Sequence, residues 1–329
     1  MTMIQDKEAE STNSAQEIAS TVKRLGNPIS TILLDSPCRI FQMDGIDGII
    51  GYQLVRNCAV VLGDPICLPE YTAKLSQAFQ LHCQKSNWRM IYFLVSDSFA
   101  HWAINNGFNT LIQTGEELII DPTSYQKKQK VRWKIKQSIT SGVVIKEYKQ
   151  FDAAIEYQLK NTIHAWLKEK QGPQIHLGDL NYSYSEKRIF YAMQNDKIIG
   201  LLKLSPIERY HGWALSSFLA LSAAPVGTSE HLLNFTFDTL ASENCHFLCL
   251  GVIAGTQLGE MIGLNVFSKF FAHLIFKISK MVFKLDARMV YLFKYRPRLS
   301  PTYFLISGKL KFRDLMALKD VLNVRICFQ

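Results

Sequence analysis

The stretch "APVGTSEHLL", residues 224–233, sets Gly227, Thr228, Ser229 and Glu230 at the point where an apolar-periodic run begins. A Pro and a Gly directly before such a run mark a strand that ends in a tight turn and opens a helix. The first turn of a helix leaves backbone N–H groups unpaired and carries the positive end of the helix dipole, so it can hold a phosphate or a carboxylate. The same residues also fit a plainer task. Thr228 or Ser229 can serve as the helix N-cap, and Glu230 as a first-turn carboxylate on the dipole. A second feature is basic. In "SYQKKQKVRWKIKQSITSG", Lys127, Lys128, Lys130, Arg132, Lys134 and Lys136 fall within ten residues. Val131, Ile135 and Ile139 recur at helical spacing, which docks one stripe and leaves the cations on the other faces. Those faces form either a solvated surface or a ridge that contacts phosphates.

Other chemistries find little support. The seven cysteines, at 38, 58, 67, 83, 245, 249 and 327, include no CxxC pair. His246 lies between Cys245 and Cys249, but a zinc site needs about four ligands and no second half exists. Buried thiols in a reducing compartment, and no metal, are expected. The histidines are isolated, with no HxxxH or HExxH pattern, and no GxSxG elbow occurs. A pyrophosphate loop would need several glycines to bring backbone N–H groups onto the phosphates. "APVGTSE" has one, so coenzyme A is not expected as a cofactor.

These residues must be positioned by a chain of 329 residues with 48 % hydrophobic and 20 % charged content, which is globular and long enough for two domains. The net charge of +9 favours anionic partners such as nucleic acid or an acidic membrane surface. Residues 1–27 are polar, lack the apolar core of a signal peptide and read as a flexible tail. No run is long and apolar enough to span a bilayer, so a cytoplasmic or peripheral protein is expected.

"CRIFQMDGIDGIIGYQLVRNCAVVLGDP" reads as three strands, "TAKLSQAFQLHCQK" as an amphipathic helix and "RMIYFLV" as a central strand. "DSFAHWAINNGF" is a short helix capped by Asp97 or Ser98, and "TLIQTGEELIID" closes the unit with strand. After the basic segment the order repeats in outline. A strand and a helix lead to a hairpin turning at Asn195-Asp196, then to "GWALSSFLAL", the turn at Gly227, a helix and the strand "HFLCLGVI". In "LNVFSKFFAHLIFKISKMVFKL", Phe267, Phe270, Phe271, Leu274, Ile275, Ile278, Met281 and Val282 follow the helical period. Lys269, His273, Lys277, Lys280 and Lys284 form another stripe. A helix packed on the core by its apolar stripe is the expected reading. A membrane-surface helix is the alternative, because lysines opposite phenylalanines suit it.

"GWALSSFLALSAAPVGTSEHLL", "LCLGVIAG" and "ARMVYLFKYRPRLSPTYFLI" together resemble the C-terminal domain of phosphatidylglycerol lysyltransferases. "VVLGDPICLPE", "GFNTLIQTGEELIIDP" and "KVRWKIKQSITSG" resemble the same family, so the likeness runs from about residue 30 to 308 in the family's order. The resemblance implies an α/β fold of two tandem GNAT-like (acyltransferase-like) domains, here 28–141 with the basic linker helix and 142–329 with the active site. It implies transfer of an aminoacyl group from aminoacyl-tRNA to a lipid hydroxyl, with the chain as a stand-alone module at the inner face of a membrane. Aminoacyl-tRNA and an anionic phospholipid are then the expected partners. Glu230 and Thr228 would be catalytic. Gly227, Lys294, Arg296 and Arg298 would bind substrate, and Lys127, Lys128, Lys130, Arg132 and Lys134 would contact nucleic acid. Glu230 could hold the amino group or act as a base, and the Arg forks match phosphate geometry. The family tends to carry an acidic pair, an Arg and an Asn where this chain has Ser216, Ser217, Ala220 and Val226. Those departures leave two expectations open, a different acceptor or a degenerate module that binds tRNA or an anionic membrane without catalysis.

Overall fold

The computed structural model describes residues 4–8, 12–34, 38–169, 187–283 and 285–322. Within them the first half runs β1 (Ile4–Glu8), α1 (Thr12–Leu25), β2 (Arg39–Met43), β3 (Gly48–Val55), β4 (Cys58–Leu62), β5 (Ile66–Cys67), α2 (Thr72–Lys85), β6 (Arg89–Ser96), α3 (Asp97–Ile104) and β7 (Thr110–Ile120). The basic helix α4 (Gln129–Thr140) leads to β8 (Val144–Tyr148), α5 (Ala153–Glu169), β9 (Arg188–Gln194), β10 (Lys197–Ile207), β11 (Gly212–Ala220), α6 (Thr228–Ser242) and β12 (Leu248–Ala254). The described residues end with β13 (Met261–Ile262), α7 (Val266–Val282), α8 (Leu285–Phe293), β14 (Arg298–Ile306) and α9 (Phe312–Val321).

The strands form a mixed 14-stranded sheet whose main path is β1-β2-β3-β4-β6-β14-β7-β12-β11-β10-β9-β8. Each half starts with antiparallel strands and then makes one parallel pairing, β4 with β6 and β11 with β12. The fold is the expected tandem of two GNAT-like halves. Their closing strands are exchanged. β14, from the end of the chain, inserts between β6 and β7 of the first half, and β7 in turn separates β14 from β12.

Alternation along the strands explains the layers. On β4, Ala59 and Val61 face one core with α2, while Cys58, Val60 and Leu62 face another with α9. All five residues are buried, as a strand covered on both faces requires. On β9, Phe190 and Ala192 pack with α6, and Ile189 and Tyr191 with α5. At the tip of the β9–β10 hairpin Asn195 and Asp196 both take positive φ, the two-residue turn that matches strand twist.

Three expectations need correction. The expected flexible tail is structured: β1 pairs antiparallel with β2, and α1 buries Ile18, Val22 and Leu25 against Leu33, Ile40, Ile49 and Ile66. The polar composition of the stretch concealed an apolar i, i+4, i+7 stripe. Helix α3 is capped by Ser96, whose hydroxyl accepts from Phe99 N, one residue earlier than expected. Helix α7 docks by Ala272 and Phe276, and its broad apolar stripe faces outward. Of the cysteines, Cys38 is half-buried and 58, 67, 83, 245 and 249 are buried, while Cys327 and Lys284 lie outside the described residues.

Candidate active site

Strand β11 delivers the chain to the turn at 221–227. Gly227 is the residue before α6 and has φ +90°, a conformation side chains disfavour. A Cβ built there would lie 1.9 Å from the carbonyl oxygen of Lys134. Glycine at this position therefore lets the backbone of α4 cross the first turn of α6. Neither Thr228 nor Ser229 caps the helix; Gly227 does, without a side chain. Thr228 is buried, and both its N–H and its hydroxyl donate to the carbonyl of Pro225, at 3.1 and 2.7 Å. Its polar atoms hold the turn together.

Glu230 is 3 % exposed, one turn into a helix wedged between the sheet and α4. Its Oε1 accepts from Lys134 Nζ at 2.8 Å and from Lys294 Nζ at 2.5 Å. Burial pushes the carboxyl pKa up, but the hydrogen bonds from Lys134 and Lys294 outweigh it and hold the group below its ordinary value. Glu230 is thus a persistent carboxylate and a weak proton acceptor. Lys294 sits 3.4 Å from the ring centroid of Tyr291, three residues earlier at the end of α8, and 5.2 Å from that of Tyr295. Burial lowers the Lys294 pKa; Glu230 opposes this, and Lys134 and Lys130 add to the lowering.

Phe237 packs in T-shaped contact with both Tyr125 and Tyr295 beside this cluster, and the two Tyr rings are tilted, with centroids 5.0 to 6.0 Å apart. Tyr125 Oη and Asn234 Oδ1 are among the polar atoms there that are buried without a hydrogen-bond partner. Leaving such atoms unpaired costs about 1–3 kcal/mol each, which a polar ligand can recover. Asn234 also donates from Nδ2 to the Glu230 carbonyl at 2.8 Å.

The two basic features of the sequence thus meet at one carboxylate. The other cations distribute differently. Lys127 pairs with Asp238 on α6 at 2.5 Å, and Lys128 is the half-buried residue before α4. Lys130, Arg132 and Lys136 are exposed, with Trp133, 57 % exposed, among them. Ile139, expected on the docked stripe, is exposed as well; the buried side of α4 runs from Val131 to Ser138, whose hydroxyl lies 3.2 Å from His231 Nδ1 on α6. Arg296 is exposed with φ +54°, and Arg298 opens β14 opposite Ile119; neither touches Glu230.

At the positions expected to depart from the resemblance, Ser216 is the extra residue of a β-bulge, since Lys203 pairs with Ser217 and Leu204 with Leu215. Its hydroxyl donates to the Lys203 carbonyl at 3.2 Å. Ala220 lies opposite Gly200, and Val226 is exposed. Sequence reasoning missed Tyr291, Tyr125, Asn234 and Trp133. The Tyr291–Lys294 spacing of three, at a helix end, was the one readable signal.

A second titratable group lies at the seam of the exchanged strands. Glu117 on β7 is largely buried, accepts from Cys249 Sγ at 3.6 Å, and burial pushes its pKa up to about 7. In the unfolded chain it titrates near 4.5. Between those values the folded state binds more protons, so this group's contribution is full below about pH 4.5 and is lost as pH rises through about 7. Denaturant titrations from pH 4.5 to 8 should show stability falling by about 2–3 kcal/mol from this source. Glu117→Gln should flatten that fall; an unchanged slope would reject the assignment.

Among the described residues no group of three or more His, Cys, Asp or Glu side chains could hold a metal ion, and no helix is long and apolar enough to cross a membrane.

Comparison with known proteins agrees with this architecture. Residues 22–306 match the family described as phosphatidylglycerol lysyltransferase, C-terminal. A phosphatidylglycerol lysyltransferase of Staphylococcus haemolyticus (strain JCSC1435) is 25 % identical over 198 residues, 58 % of this chain and 23 % of that protein. One of Staphylococcus aureus (strain MRSA252) is 24 % identical over 191 residues, 55 % of this chain and 22 % of that protein. The matched region is thus under a quarter of those relatives' length. Two solved structures share the fold. The L-PGS of Bacillus licheniformis has a TM-score of 0.77 at 17 % identity, covering 94 % of this chain and 96 % of that one. A C-terminal domain assigned to a lysylphosphatidylglycerol synthetase of Agrobacterium fabrum gives 0.78 at 14 % identity, with the same coverage. With the match spanning both halves and including Lys134, Glu230 and Lys294, the chain belongs to the phosphatidylglycerol lysyltransferase C-terminal family.

Proposed function

We propose that this chain transfers an aminoacyl group from an aminoacyl-tRNA to the hydroxyl of an anionic, phosphatidylglycerol-like lipid, working peripherally at the cytoplasmic face of a membrane. The observation that carries this reading is the convergence of Lys134 and Lys294 on buried Glu230, beside the exposed cations of α4. The lipid hydroxyl oxygen attacks the ester carbonyl, and the ribose hydroxyl of the tRNA leaves with the proton. One ester is exchanged for another, so the donor is already activated and neither coenzyme A nor a metal is required. The protein's task is to align two substrates and to stabilise the oxyanion. Lys294 and Lys134 supply positive charge for that anion, and Glu230 holds both in place. As a persistent carboxylate Glu230 also suits an ammonium of the donor better than it suits proton abstraction.

Lys130 and Arg132, with Lys127 and Lys128 behind them, would follow the tRNA phosphates, and Trp133 offers a face for a base. Arg296 and Arg298 would take phosphate oxygens by their forked donors. In this reading Gly227 and Thr228 shape the turn that presents Glu230.

The test is comparative lipid mass spectrometry on bacteria expressing the wild type or Lys294→Ala/Arg296→Ala. A lipid heavier by one aminoacyl residue is expected with the wild type, reduced about 100-fold or more in the double variant, the scale of losing one oxyanion donor. No new lipid from folded protein, with charged tRNA present, rejects the transfer. The second reading then applies, a degenerate module that binds tRNA or an anionic membrane. The uncharged Ser216, Ser217 and Ala220 favour it.

A further inference from the structure

Helix α7 presents its apolar side to solvent. Its packed side is Ala272, with Phe276 partly buried, and it adjoins α8. On the side turned away from Ala272 stand Phe267, Phe270, Phe271, Leu274, Ile278 and Met281, from 41 to 73 % exposed. They recur at helical spacing over four turns, so they form one continuous outward ridge. Val290 and Phe293 on α8 are exposed too. A contiguous apolar surface of this kind is costly in water and marks a docking face.

The charges choose the occupant. Between Val266 and Val282 there is no Asp or Glu. Lys269, His273 and Lys277, all exposed, lie along one margin of the ridge. Lys280 turns inward to Asp286 and to the Thr256 carbonyl, at 2.8 and 2.9 Å, and so braces α7 against α8. A second copy of the chain would bring another cationic margin and no carboxylate from this helix to meet it. An anionic bilayer meets both demands: acyl chains for the ridge and headgroup phosphates for the lysines.

We infer that α7 is the membrane-docking element of this chain and lies in the plane of an anionic bilayer with Phe267, Phe270, Leu274, Ile278 and Met281 among the acyl chains. The brace from α7 to α8 then sets Tyr291 and Lys294 close to the lipid surface. This deepens the reading above only in naming the surface by which the acceptor is reached. Its test reads binding and not transfer, so either can fail without the other.

The full chain is sedimented with vesicles of phosphatidylcholine alone and of phosphatidylcholine mixed with phosphatidylglycerol. Binding is expected to the mixed vesicles and to weaken with salt. Phe270→Asp/Ile278→Asp should reduce partitioning at least tenfold. Both residues are exposed, so the variant should fold, as circular dichroism would verify. In Phe270→Trp, emission in excess of the wild type should shift to the blue on binding and be quenched by brominated lipid. Equal binding by the wild type and the double Asp variant, or a tryptophan at 270 that stays in water on bound vesicles, overturns the inference. So does a stable dimer in sedimentation velocity that Phe270→Asp dissociates, since the ridge would then serve a second copy.

Discussion

Glu230→Gln should lower the free energy of unfolding by about 2–3 kcal/mol at neutral pH. The carboxylate is almost fully buried, and both lysines that bond to it keep only a quarter to a third of their side chains in water. Removing the carboxylate leaves two like charges, the ammoniums of Lys134 and Lys294, facing each other across a half-dry space. The partial exposure of the lysines places the cost toward the low end of the range for buried pairs. Urea titration would measure it. Adding Lys294→Met to Glu230→Gln should recover part of the loss, because one of the two stranded charges is then gone. If the pair of substitutions is simply additive, the lysines are not coupled through Glu230. The pH dependence separates the two glutamates. Glu230 has a lowered pKa, so its stabilisation is present above about 4.5 and is lost as pH falls through the folded value. Glu117 has the opposite sign. The two single Gln variants should therefore alter opposite ends of one pH–stability curve.

Gly227→Ala should cost more, about 3–4 kcal/mol, since it combines a positive-φ penalty with a backbone clash. The added Cβ cannot share space with the Lys134 carbonyl, which belongs to the body of α4 and has no rotamer to escape into. Helix α4 has to move off α6, and Lys134 moves with it. Faster amide exchange along 129–140 is the expected signature, beside the loss in stability. Gly227→Asn is the informative companion. Asparagine tolerates positive φ but still has a Cβ. If it matches Ala, the close approach of the two helices decides the position; if it is nearly silent, the backbone angle does.

The element order was legible because it rests on local patterns. The buried run "CAVVL", the Asn195-Asp196 turn and the Pro-Gly entry into α6 each declare themselves within a few residues. The tandem GNAT-like architecture came from resemblance. The alternation of strands and helices agrees with it but does not select it. The exchange of β7 and β14 could not be read locally, since it depends on which edges find each other in space. For the site, Glu230, Lys134 and Lys294 were visible singly, yet they come from α6, α4 and the turn after α8. Nothing in sequence spacing says that two cations so far apart in the chain share one carboxylate. The resemblance implied a catalytic part for Thr228, and its hydroxyl donates to the Pro225 carbonyl. The outward ridge of α7 illustrates a general limit. Periodicity shows that a helix has an apolar side; only the neighbours show whether anything covers it.

The crossed closing strands also govern how the chain can be made. β14 is the last strand among the described residues, and it pairs along β7 from Thr110 to Ile119, about 190 residues earlier. Until it emerges from the ribosome, β6 and β7 keep an open slot with unpaired backbone groups on both edges. The first half therefore cannot finish folding ahead of the second, as independent domains do during translation. A nascent chain that stalls before residue 298 holds two adhesive edges, and a C-terminal truncation there should be recognised by chaperones or aggregate rather than yield a smaller working unit.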